Sequence, residues 1–201
     1  MDQQNQRGNF VAYKNNQKSR YPRAAEDAKR TPDFKGKITD PTNGREFEAA
    51  LWAGTDKNGN VIFTGKSSDV ALNDAAIDKI KAMAGQVDLK ALEDGNLKLE
   101  PGQILAFTDP KREQRCAETG KNHPHFYGRW NTGDKVLDFS LWATNSKFGQ
   151  PMLAGGTQVR QPGKKLEDMG NAHMSANDIG GIEQDAEQTE KTASRRGRTR
   201  S

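Results

Sequence analysis

The sequence predicts a mainly β protein built on an internal duplication, and three observations carry that expectation. The first is the repeat itself. Residues 34–66 (FKGKITDPTNGREFEAALWAGTDKNGNVIFTGK) align with 126–156 (FYGRWNTGDKVLDFSLWATNSKFGQPMLAGG) when Gly36 is set on Gly128 and two residues are dropped from the first loop. Leu51-Trp52 then falls on Leu141-Trp142, Lys57 on Lys147, Gly59 on Gly149 and Gly65 on Gly155 with no further gap. The second observation is the period: in residues 46–53, Phe47, Ala49, Leu51 and Ala53 alternate with Glu48, Ala50 and Trp52, the two-residue period of a strand. The third is the punctuation, Asp-Pro-Thr-Asn-Gly at 40–44 and Asn-Gly at 58–59, which are reversal signals between strands.

Composition bounds how much of the chain can pack. In 201 residues only 32% are hydrophobic, and the mean hydropathy is −0.98. Segments poor in apolar residues cannot offset their ordering entropy. Residues 1–32, rich in Arg and Lys with Phe10, Tyr13 and Tyr21 as anchors, therefore read as a flexible basic arm. Residues 161–201, polar and closing on Arg195, Arg196, Arg198 and Arg200, read as a disordered tail. A net charge of +4 permits a polyanionic partner without requiring one. One cysteine, Cys116, excludes an internal disulfide. No charged start followed by an apolar run marks a secretory signal, and no segment approaches the roughly 20 apolar residues of a membrane span. A cytoplasmic protein is expected, in the host cytoplasm if the gene is carried by a phage.

The first unit, 33–109, opens with a strand through Phe34, Gly36 and Ile38, then strands at 46–53 and 61–65, a three-stranded meander. Asn73 then caps a short helix with Ile77, Ile80 and Ala84 on one face and Gly85 as its left-handed end. Leu97 and Leu99, and then Ile104 to Phe107, give two more strands around Pro101-Gly102. That element order is the order of an OB-fold, a five-stranded barrel that often binds oligonucleotides. Residues 110–125 read as a charged linker. The second unit, 126–160, repeats the meander without a helix. The alternative arrangement is a single pseudo-symmetric β-sandwich of the two meanders.

Strand phase singles out Trp52 and Trp142, which fall with Glu48 and Ala50, or with Asp138 and Ser140, opposite the larger aliphatics. The neighbouring strand offers Lys35 and Lys37 in the first copy, and Tyr127 and Arg129 in the second. Aromatic faces beside cations suit single-stranded nucleic acid, where rings stack on bases and cations meet phosphates. A strand-end tryptophan buried beneath a loop satisfies the same pattern. Lys57 and Lys147, at matching hairpin tips, could reach a phosphate backbone or simply be solvated. Cys116, His123 and His125 match no zinc-ligand spacing, so neither metal nor cofactor is expected. No phosphate loop, nucleophile elbow or HExxH appears, and an enzyme is not expected.

The phrase Phe-x-Gly, Leu-Trp-Ala and Lys-x-Gly resembles short β-rich proteins of phage and bacterial genomes. The element order with its basic, aromatic faces resembles phage-type OB-fold single-stranded DNA-binding proteins, although those often end in an acidic tail where this chain ends in arginines. The repeated pairing of aromatic and cation on one face leads to the first expectation, a non-enzymatic protein that binds single-stranded nucleic acid, DNA foremost, with Trp52, Trp142 and Tyr127 stacking and Lys35, Lys37, Arg129, Lys57 and Lys147 on phosphates. A protein-binding or assembly module, such as a phage accessory or virion component with partner-binding tails, is the second expectation.

Overall fold

Eight antiparallel strands follow one another in sequence order around a closed barrel. They are β1 (Gly8–Lys14), β2 (Phe34–Thr39), β3 (Glu46–Thr55), β4 (Val61–Ser67), β5 (Gln103–Thr108), β6 (Phe126–Asn131), β7 (Val136–Asn145) and β8 (Pro151–Val159). The computed structural model describes residues 7–16, 29–67 and 73–160. The predicted tail at 161–201 lies outside the described residues, as does most of the predicted basic arm.

The mainly β expectation holds. The arrangement differs from both expected forms, an OB-like first unit with a separate second meander and a two-sheet sandwich. β4 pairs with β5, and β8 pairs back onto β1, so neither half ends at a free edge. Strand β1 lies inside the predicted arm. Its seven residues are too few to order alone, but two neighbours, β2 and β8, supply ladders along both sides. The Leu97–Leu99 strand is not formed; both side chains instead pack on the outer wall with Ile62, Leu105 and Tyr127. The predicted linker contains a helix.

Alternation decides what fills the barrel. Phe10, Ile38, Leu51, Phe63, Ile104, Trp130, Phe139 and Leu153, one from each strand, belong to a single buried cluster. Eight strands enclose a space that side chains can fill, and here edge-to-face aromatic pairs occupy it, among them Phe10 with Phe139 at 5.1 Å and Phe63 with Phe126 at 5.0 Å. The outer face carries Lys35, Lys37, Glu46 and Glu48, whereas a membrane barrel presents an apolar band outward.

The ladders of the two halves match. Ala12 opposes Gly36, Gly36 opposes Ala49, and Leu51 opposes Gly65. In the second half Ala106 opposes Gly128, Gly128 opposes Phe139, and Leu141 opposes Gly155. The duplication thus extends to a fourth strand, β1 in one half and β5 in the other, where sequence identity is too slight to show it.

The long connection from β4 to β5 supplies the outer covering. Helix α1 (Asp74–Ala82) is capped by Asn73, whose side chain accepts from the Ala76 N–H, and its buried Ile77 and Ile80 pack on Trp52. The helix ends at Met83 in right-handed geometry and passes into a 3₁₀ turn, Ala84–Gln86, so Gly85 is not the left-handed cap that was expected. Helix α2 (Leu89–Glu93) follows, capped by Asp88. At the opposite end of the barrel from the β3–β4 hairpin, Lys135 binds Asp40 at 3.2 Å and also contacts Thr42, tying two turns from different halves. Burial would raise the Asp40 carboxyl, but hydrogen bonds from the Thr42 N–H and hydroxyl and from Lys135 outweigh it and hold it below 3.8.

Candidate nucleic-acid interface

Up-and-down order has a geometric consequence: every odd-to-even connection lies at the same end of the barrel. Among the described residues, that rim gathers the β1–β2 connection, the β3–β4 hairpin, the β5–β6 connection and the β7–β8 hairpin. Lys14, Lys29, Arg30, Lys57, Lys111, Lys121 and Lys147 are exposed there, against exposed Asp74, Glu113 and Glu118. Two of these cations are neutralised: Lys57 reaches the buried Asp88 at 2.8 Å, and Arg30 reaches Asp74 at 3.0 Å. The Lys57 hydrogen bond is the main cause that lowers the Asp88 carboxyl from 3.8.

The two hairpin tips share one construction. Asp56 Oδ1 accepts from the N–H groups of Asn58 and Asn60, each at 2.8 Å. Ser146 Oγ accepts from those of Phe148 and Gln150 at 3.3 and 3.2 Å. Gly59 and Gly149 close both turns at positive φ. The tips differ most at the position where Asn58 is matched by Phe148. The Phe148 ring is 76% exposed, and the Lys147 ammonium lies 5.0 Å from its centroid.

The residues singled out from the sequence are not brought together as a stacking face. Trp52 is 2% exposed, with its indole N–H donating to the Arg30 carbonyl at 3.2 Å. Trp142 is 7% exposed and donates to the Asn122 carbonyl at 3.1 Å. Tyr127 is fully buried; burial first, and then the Asp109 charge, push its hydroxyl up to about 12. Arg129, 6% exposed, is held by Asp138 at 3.0 Å. These four point outward from the barrel, but helices and connections cover that wall, which strand phase alone does not reveal. Lys37 pairs with Glu46 at 3.0 Å on the side wall. Lys35 is exposed beside it, in a row with Tyr13, Ala50 and Lys66 across four strands. Only Lys57 and Lys147 lie on the rim.

No family model, curated protein or solved structure matches the chain. What this site does is therefore argued from its own geometry. Phe148 is the residue that sequence reasoning missed, and the available signal was its position in the repeat: a polar tip residue in one copy and an aromatic one in the other. Among the described residues, no group of three or more His, Cys, Asp or Glu side chains is placed to hold a metal ion.

Matching positions also reveal a titratable group. Asp33 Oδ2 accepts from the Ala53 N–H at 2.9 Å, and in the second half His125 Nδ1 accepts from the Ala143 N–H at 3.2 Å. An accepting imidazole must be neutral there, and burial, with a smaller effect of the Arg112 charge, lowers its pKa from 6.5. A depressed histidine contributes stability that is complete above 6.5 and is lost as pH falls through the folded value. The thermal midpoint is therefore expected to fall between neutral pH and about pH 5. In His125→Asn, which can still accept, that component disappears. Asp40 and Asp88 titrate below 3.8 and do not contribute in this window. Identical pH profiles for the two proteins in differential scanning fluorimetry would refute the assignment.

Proposed function

We propose that the chain is a non-enzymatic protein that binds single-stranded nucleic acid, DNA in the first instance, at the rim bearing the two hairpin tips. The observation that carries this proposal is Phe148, a ring held exposed on an ordered turn beside Lys147. A lone exposed apolar side chain is ordinary. Its setting among rim lysines gives it the two parts such binding uses, a π-face for a base and cations for the backbone. Lys111, Lys121 and Lys147 would meet phosphates, Lys57 being held by Asp88, and the Lys35 and Lys66 row would extend the path down the wall. This moves the expected stacking role from Trp52, Trp142 and Tyr127 to Phe148. The likeness to OB-type binders becomes one of use, a small barrel whose loops engage a strand.

Fluorescence anisotropy of a labelled oligothymidine at low salt tests the proposal. Phe148→Ala is expected to weaken binding by about 1–3 kcal/mol, some 5- to 150-fold, while Phe148→Trp retains it. Affinity should fall steadily with salt, and Lys121→Ala should make that slope shallower. No binding at low salt overturns the proposal.

The second function, a protein-binding or assembly module, draws on the same exposed ring, since one aromatic anchor in a well-packed pocket can dominate an interface. A partner that co-purifies despite nuclease treatment, and is lost in Phe148→Ala, would favour it.

A further inference from the structure

The described residues leave five buried polar atoms without a hydrogen-bond partner, and all five lie in one region. Asp109 Oδ2, Arg115 Nη1 and His123 Nδ1 belong to the β5–β6 connection. Tyr127 Oη and Arg129 Nη1 belong to the outer face of β6. Asp109 and Arg115 approach only to 3.6 Å, and Arg115 lies beside the Tyr127 hydroxyl without reaching hydrogen-bonding geometry.

The connection carries helix α3 (Arg112–Thr119), which has no buried residue and no side-chain cap at its N-terminus. Its hydrogen bonds are mostly internal. Arg112 Nε donates to the His123 carbonyl at 2.8 Å, Arg112 Nη2 to Asn122 Oδ1 at 2.7 Å, and the His123 N–H to Cys116 Sγ at 3.4 Å. Thr119 and His123 meet at 2.8 Å. Among the described residues, the connection meets the wall through the bond from the Trp142 indole to the Asn122 carbonyl and through Arg115 beside the Tyr127 hydroxyl. The ends are stitched to the barrel, with the Asp109 N–H donating to the His125 carbonyl and the His125 N–H to the Leu141 carbonyl. Helix α1, by contrast, docks through buried isoleucines. A connection whose ion pair, Asp109 with Arg115, is internal and whose helix buries no side chain against the wall gains little on docking.

We propose that residues 110–124 form a strap that lifts from the barrel as one folded piece between fixed ends, uncovering Trp142 and the hydroxyl edge of Tyr127, whose ring stays in the apolar cluster under the β4–β5 connection. Trp142 stands on the same hairpin as Phe148, so an open strap extends the aromatic surface of the rim. That consequence rests on the proposed nucleic-acid role, whereas the opening itself does not.

Cys116, the chain's one cysteine, is a built-in probe on α3. In hydrogen exchange of the free full-length protein, amides of 112–120 are expected to exchange about 100-fold faster than those of β6. The double variant Asp109→Asn, Arg115→Met keeps the Oδ1 acceptor used by the Lys111 N–H and removes both charges from the seam. It is expected to slow both that exchange and iodoacetamide labelling of Cys116 about tenfold. The β6 amides in the same spectra report that the barrel is folded. Protection of 112–120 equal to that of β6, or faster labelling in the double variant, overturns the strap. Failure to bind oligonucleotide would overturn the rim proposal and leave both measurements standing.

Discussion

Trp130→Ala is expected to lower the unfolding free energy by about 3–5 kcal/mol, a large part of the roughly 5–15 kcal/mol that holds an ordinary domain together. Trp130 is among the largest fully buried side chains and sits inside the barrel on β6. Its ring meets Phe47 edge-on at 5.2 Å, joining β6 to β3. Its indole N–H donates to Ser67 Oγ at 2.7 Å, which joins β6 to β4 across the interior. Truncation opens a cavity that eight ladder-bonded strands cannot collapse to fill, and leaves a hydroxyl short of a partner. Trp130→Phe keeps most of the volume and loses mainly the hydrogen bond, so about 1–2 kcal/mol is expected. Urea unfolding followed by circular dichroism measures both. A loss below about 1 kcal/mol in the alanine variant would show that the interior is not packed around this ring.

Gly155→Ala and Gly36→Ala are expected to destabilise at least as strongly as the upper end of the usual overpacking range of about 1–3 kcal/mol. A methyl group at Gly36 would lie 1.8 Å from the Val11 carbonyl oxygen, and one at Gly155 would lie 1.8 Å from that of Ser140. Both obstacles are backbone in the adjacent strand, so no side chain can swing aside. Only bending the ladder relieves the clash, and a closed barrel transmits that bend to every other pair. Glycine at matching inward positions of the two halves lets the strands coil tightly enough to close. Gly85→Ala is the control. It has open space around it and no unusual backbone angle, so a neutral effect or a gain of about 0.4–1 kcal/mol is expected. Equal losses at Gly85 and Gly155 in thermal unfolding would contradict the explanation.

Local features were legible because they are written locally. Asn73 offers a side chain to an open helix end, and the helix begins after it. Asp40-Pro-Thr-Asn-Gly and Lys57-Asn58-Gly59 reverse the chain where such residues do so most easily. Strand β1 was not legible, because Gly8–Lys14 earns its order from β2 and β8, which lie far along the chain. Helix α3 was missed because Arg112–Thr119 has no apolar face to give a period.

The candidate site divides in the same way. That Leu51 and Leu141 point into the barrel follows from alternation, and so does the opposite orientation of Trp52 and Trp142. Whether the outside of a strand meets water does not follow, since it depends on what packs there: Ile77 and Ile80 on Trp52, the β4–β5 connection over the Tyr127 ring, and the β5–β6 connection over Trp142. Phe148 is the reverse case. Taken alone it reads as one more apolar residue, and only the shared hairpin geometry shows that nothing covers it.

The sequence by itself determined a duplicated, mainly β chain, its turns and the inward face of most strands, because strand period and turn chemistry act over a few residues. Tertiary structure alone decided that the strands close into one barrel, that the tryptophans are sealed beneath its covering, and that two distant hairpin tips share a rim. Those outcomes depend on which segments far apart in the chain become neighbours, and no local period encodes that.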